Sequence, residues 1–227
     1  KIVDYFKISS GDNNFNDLIK VVLTKKKPTM ISTGILSLKE IDDLIKFLKK
    51  ITSKKNFCLL HCVSAYPVEL NEANLFALDY FKKKKINYGY SDHTIGTLSA
   101  IIASVKGAQV IEKHFTLDNN FSNFRDHRIS LNPANMKKLV DDIRNVEKLC
   151  INKQKKYSKD EKKNISSMRR SIYANQNIKK GQKINKSNIK FVRPFAEIQP
   201  NDIKKILGKK VKKDIFSDQA IRFSYIK

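Results

Sequence analysis

The chain lacks the marks of a secreted, stapled or membrane-spanning protein. Among 227 residues there are three cysteines, Cys58, Cys62 and Cys150. An odd number without framework spacing excludes a disulfide scaffold and reads as buried, reduced thiols. Apolar runs are strand-length, far below the ~20 residues that cross a bilayer, and no signal peptide is visible. A cytoplasmic protein is expected. The chain starts at Lys1 rather than Met, so an N-terminal piece is expected to be missing or processed.

Arginine is also sparse. The net charge of +24 is almost all lysine, spread along the chain. Nucleic-acid readers lean on arginine forks and interleaved aromatics, so neither a nucleic-acid nor a membrane partner is expected. Lys25-Lys26-Lys27 and Lys82 to Lys85 fall where helices should end, where cations complement the helix dipole. The positive field also suits anionic substrates.

What is present is alternation. Short apolar runs, read as strands, lie at Ile2 to Ser9, Pro28 to Ser32, Phe57 to Cys62, Ile86 to Tyr90 and Ala108 to His114. Helical stripes lie between them. One runs from Leu38 to Ile51 behind a capping box of Ser37 and Glu40. Thr94 is expected to cap the next, which Gly107 stops. Asn132-Pro133 starts the last. This spacing predicts βα units and a parallel sheet over residues 1–150, either open or part of an eight-stranded barrel lacking three units.

Residues 151–167 turn polar and read as a linker. Residues 168–227 have short strands and an internal repeat. Ile178, Gln182, Ile184 and Ile189 recur 37 positions later as Ile215, Gln219, Ile221 and Ile226. The expected result is a compact, pseudo-symmetric, mostly β module.

Candidate chemistry clusters at strand ends. There are four histidines, and His61, His93 and His114 each close or follow a predicted strand. The C-terminal edge of a parallel sheet is where active sites are built. His93 and His114, from neighbouring strands, would suit a divalent cation such as Mn²⁺ or Mg²⁺. His61 is expected only to pack and hydrogen-bond. Lys7, before Ser9-Ser10-Gly11-Asp12, suits a phosphate or carboxylate. Ser64 and Tyr66 follow the third strand in a loop stiffened by Pro67. Asp126-His127 lies in a long loop between Arg125 and Arg128.

The segments FKISSGD, MISTGILSLKEI, LLHCVSAYP, YSDHTIGTLSA and VIEKHFTLD, in this order, resemble the N-acetylneuraminate (sialic acid) synthase family, which includes legionaminate and pseudaminate synthases. The tail, RRSIYANQNIKKGQKI with VRP and ILGKK, resembles that family's antifreeze-like (SAF) domain. The resemblance implies a partial (β/α)8 TIM barrel with about five of eight βα units, starting at the fourth strand. A small, mostly β SAF domain follows. It implies a metal-dependent, C–C bond-forming transferase that condenses phosphoenolpyruvate with an N-acetyl hexosamine and releases phosphate. The acceptor sugar stays open, as does Mn²⁺ against Mg²⁺.

By the same resemblance, His93 and His114 are the metal pair. Lys7, Ser10, Ser64 and Ser91 hold phosphoenolpyruvate, and Asp12 is an acid near the reacting carbons. Tyr66 and Asp126 contact the sugar, and Arg193 reaches the neighbouring subunit's site in a domain-swapped homodimer. Relatives commonly carry GPDH where this chain reads Phe124-Arg125-Asp126-His127, so that loop is expected to run differently. The rival reading is a non-catalytic, degenerate barrel that binds carbohydrate.

Overall fold

A computed structural model describes residues 3–123, 126–151 and 154–227. The chain divides into two units, Lys1–Lys153 and Gln154–Lys227.

The first unit alternates as expected. Its elements are β1 (Phe6–Ile8), α1 (Asn16–Thr24), β2 (Thr29–Ser32), α2 (Leu38–Ile51), β3 (Phe57–Cys62), α3 (Ala77–Lys84), β4 (Asn87–Asp92), α4 (Leu98–Val105), β5 (Ile111–Lys113) and α5 (Pro133–Leu149). All neighbouring strands pair in parallel, in the order β1-β2-β3-β4-β5. The outer strands are shorter than the sequence suggests. β1 covers only part of the expected run, whose first residue, Ile2, lies outside the described residues. β5 begins at Ile111 rather than Ala108.

The sheet is curled. Flat, it would hold β1 and β5 four strand spacings apart, about 19 Å. Instead Lys7 Nζ on β1 lies 3.2 Å from Glu112 Oε1 on β5. Five consecutive strands thus wrap into a half-barrel. Alternation along each strand sorts the side chains. Ile8, Ile31, Leu59, Tyr88 and Tyr90 point outward and bury themselves under the helices with Ile45, Leu48 and Phe81. Each such burial stabilises the fold by roughly 1.5–3 kcal/mol. Lys7, Ser32, Cys62, Ser91 and Glu112 stand on the opposite, interior face.

Helix ends follow local chemistry. Ser37 accepts the Glu40 amide, and Glu40 answers from its side chain to the Ser37 amide, completing the box. Asn132 accepts the Asn135 amide ahead of Pro133. Gly107 ends α4 in the left-handed region at φ +92°, where a Cβ would also strike the Tyr88 hydroxyl. The expected cap of α4 needs correction. The helix starts after Thr97, while Thr94 turns back to hydrogen-bond the Asp92 carboxylate.

In the second unit, half of the stretch read as a linker is helical, as α6 (Lys159–Met168). No residue of it is buried, so apolar periodicity had nothing to mark; the signal was its capping box, Ser158 with Glu161. Strands β6 (Ser171–Ala174) and β7 (Ile189–Val192) pair antiparallel. Nine of eleven buried core residues are isoleucine, stiff at χ1 and suited to extended backbone.

The repeat is a structural symmetry. Ile178 and Ile215, counterparts in sequence, exchange both backbone hydrogen bonds at 2.8 and 2.9 Å. Gln182 accepts the Lys179 amide as Gln219 accepts that of Phe216. Asp214 accepts the Lys180 amide, and Asn177 accepts that of Ser217, so each half holds the other's turn.

Candidate active site

The C-terminal ends of β1 to β5 carry nearly all the polar residues expected there. On β5, Glu112 accepts from Ser91 Oγ at 2.7 Å and meets Lys7 at 3.2 Å, linking three strands of the interior face. Beside them, Ser10 Oγ accepts the Gly34 amide at 3.1 Å and lies 3.5 Å from Cys62 Sγ. Gly34 is required by crowding. A Cβ there would sit 2.2 Å from Ser64 Oγ and 2.6 Å from Ser10 Oγ. The two hydroxyls therefore close over the bare Cα of Gly34, side by side as a cradle of hydroxyls suited to an anion.

The imidazoles come next. His93 and His114 follow β4 and β5, and their ring centroids are 5.2 Å apart. Tyr66 packs on both rings, at 4.2 Å from His93 and 5.9 Å, edge-on, from His114. His93 Nδ1 donates to the Val63 carbonyl at 2.9 Å, so its Nε2 carries the lone pair. His114 Nδ1 lies 3.4 Å from Asp126 Oδ2. Burial lowers the pKa of His114, helped by the nearby His93. Burial also acts to lower His93, but the Cys62 sulfur and the Val63 carbonyl outweigh it and the net shift is upward.

Lys7, Ser10, Ser64, Tyr66, Ser91, His93, His114 and Asp126 thus form one continuous set of contacts. One candidate of this unit stands apart from it. Asp12 is exposed in a 3₁₀ turn, with its carboxylate taken by Ser9 Oγ at 2.8 Å. Arg193 lies in the second unit, where its Nε donates to the Met168 carbonyl at 2.6 Å. Phe124 and Arg125 lie outside the described residues. His61 packs as expected, giving a hydrogen bond from Nε2 to the Ala73 carbonyl and stacking on Tyr90.

Some residues escaped the sequence reading. Ser32 is buried on the interior face, and among the described residues its Oγ is the one buried side-chain polar atom lacking a hydrogen-bond partner. Such a hydroxyl is costly unless something meets it. Glu112 was visible inside VIEKH but had no assigned partner. Asp92 and Lys113 face away from the interior. Among the described residues no group of three His, Cys, Asp or Glu side chains gathers as a complete metal site. No helix among them is long and apolar enough to cross a membrane.

The curled parallel sheet, with its histidine pair and serine cradle on the C-terminal rim, defines the class: a partial (β/α)8 barrel followed by a small antiparallel β unit. Comparison with known proteins narrows this. The NeuB family profile matches residues 2–155 and the SAF domain profile matches residues 169–227. The chain belongs to the NeuB family. It is 40% identical over 220 residues to an uncharacterised protein of Methanocaldococcus jannaschii, covering 96% of this chain and 65% of that protein. It is likewise 40% identical over 219 residues to the N,N'-diacetyllegionaminic acid synthase of Campylobacter jejuni, covering 96% and 65%. Among solved structures it resembles the N-acetylneuraminic acid synthetase of Leptospira borgpetersenii, crystallised with citrate. There the TM-score is 0.66 and identity 33%, over 72% of this chain and 57% of that one. The chain thus spans about 65% of the length of these two curated relatives.

Proposed function

We propose that this chain carries the catalytic rim of a sialic-type (nonulosonic) acid synthase. In this reading phosphoenolpyruvate condenses with an N-acetyl hexosamine and phosphate is released. The observation that supports it best is the pair of imidazoles 5.2 Å apart, beside a cradle of serine hydroxyls and Lys7. Relatives named as legionaminic and N-acetylneuraminate-9-phosphate synthases agree with it.

The donor set fits a divalent cation. His93 Nδ1 is engaged by the Val63 carbonyl, which leaves its Nε2 as a ligand atom, and His114 Nδ1 faces Asp126 at 3.4 Å, an orientation that favours Nε2 there too. Two nitrogens with substrate and water oxygens suit Mn²⁺ or Mg²⁺. When bound, such an ion supplies Lewis-acid polarisation of the sugar aldehyde.

The chain's own residues do the rest. Lys7 and the hydroxyls of Ser10, Ser64, Ser91 and Ser32 bind the phosphate and carboxylate of phosphoenolpyruvate and hold its C3 against the aldehyde carbon. Tyr66 and Asp126 orient the sugar. C3 attacks, water adds at C2, and the C–O bond to phosphate breaks; Asp12, exposed and held by Ser9, is assigned no part in this step. Lys7 stabilises the charge that leaves.

The test is phosphate release from phosphoenolpyruvate with a panel of N-acetyl hexosamines. It should be run on this chain and on any longer product of its reading frame. We expect release that needs both a sugar and a divalent cation, and a fall of at least about 10³-fold in His114→Ala. Full activity in that variant, or sugar binding without phosphate release, would overturn the reading. The second result would leave a carbohydrate-binding protein.

A further inference from the structure

Each imidazole of the rim is the chain neighbour of one member of a buried ion pair. Asp92 precedes His93 and Lys113 precedes His114. Lys113 Nζ lies 3.0 Å from Asp92 Oδ2, with side-chain exposures of 1% and 0%. The pair is fully dressed. Asp92 also accepts from the Thr94 amide, Thr94 Oγ1 and Ser99 Oγ, each at 2.8 Å, and from the Tyr90 hydroxyl at 3.3 Å. Lys113 makes a second bond to the Thr94 carbonyl.

A buried ion pair seldom stabilises a fold more than well-packed apolar residues would, because desolvation offsets the attraction. Its merit here is geometric. Asp92 and Lys113 are the last register pair of β4 and β5. β5 is an edge strand of three residues with three register pairs, preceded by two backbone bonds between Tyr88–Tyr90 and Gln109–Val110 and followed by one from Leu131 to the His114 carbonyl. A slip of one residue would turn its histidine to the wrong face. The pair stands on the helix-facing side of the sheet and the imidazoles on the interior side, one residue further on. Ser99 extends the tether into α4.

We infer that the Asp92–Lys113 pair is a positioning clamp, fixing the register of β5 on β4 and so the separation at which the two imidazoles present Nε2 to a cation. This rests on the metal reading above. Neither residue touches the cation or the substrate.

The experiment is a Mn²⁺ titration followed by the electron paramagnetic resonance of the free ion. It uses the unsubstituted chain, Lys113→Met, Asp92→Asn and, as control, Lys106→Met, which removes the more exposed ion pair to Asp79. Circular dichroism sets a temperature at which all are folded. We expect Mn²⁺ affinity to fall at least tenfold in Lys113→Met and in Asp92→Asn, and to hold within twofold in Lys106→Met. If Lys113→Met does not fold, the isosteric Asp92→Asn carries the test. Unchanged affinity in a folded clamp variant overturns the clamp and leaves the metal reading intact. No uptake by the unsubstituted chain overturns the metal reading, and the clamp falls with it.

Discussion

The two units of this chain solve opposite problems. The second closes on itself. Its core is almost all isoleucine, and the ion pairs described within it lie at the surface. The first unit is a half-barrel with two sheet edges, and its interior face carries a lysine, a glutamate, serines and histidines. One is packed almost wholly with apolar side chains. The other keeps polar groups where packing would prefer apolar ones, including a buried serine hydroxyl with no partner. The candidate site sits where the structure is least self-satisfied.

The comparison can be broken first in the closed unit. Ile172 is fully buried on β6. Ile172→Ala should cost about 2–5 kcal/mol. Hydrogen exchange should then show lost protection across residues 171–226 with that of the half-barrel unchanged. Equal loss in both units would mean that they do not behave separately.

A smaller effect is expected in the cradle. In Gly34→Ala the new methyl meets Ser64 Oγ, Ser10 Oγ and, at 3.1 Å, the Ser10 Cβ. Overpacking of this kind costs about 1–3 kcal/mol. It should weaken phosphoenolpyruvate binding, read by calorimetry, more than it lowers the unfolding midpoint. A pure stability loss would mean that the cradle is only packing.

The smallest effect concerns His61. Burial pushes its pKa below the ordinary histidine value. Its neutral form therefore contributes stability that is present above the unfolded value of about 6.5 and is lost as pH falls from there through the lower folded value. The urea midpoint should drop between about pH 7.5 and 5.5, and His61→Asn, which does not titrate, should reduce that drop. An identical drop in the variant would assign it to other groups.

Much of this was legible in the sequence. The strand ends, the Ser37–Glu40 box and Asn132-Pro133 are local signals, and local signals suffice where the partner is three residues away. The histidine pair was legible because a scarce residue type recurred at strand ends. What stayed hidden depends on long-range partners. Glu112 meets Lys7 across the whole sheet, and Lys113 meets Asp92 from another strand. Thr94 had a cap's position but found a nearer carboxylate. Ser32 is conspicuous only because nothing meets it, which no spacing encodes.

The reciprocal holding of turns in the second unit limits how that unit can change in length. An insertion between Asn177 and Lys180, or between Asp214 and Ser217, would part an acceptor from the amide beside it and break one of the two bonds to the opposite half. The chain between the halves is held as well: Ile198, Ile206 and Val211 are fully buried, and Lys210 and Val211 bridge to Lys183 and Ile226. Added residues should therefore be tolerated least inside the two turns, where a change in one half breaks a bond that the other half needs.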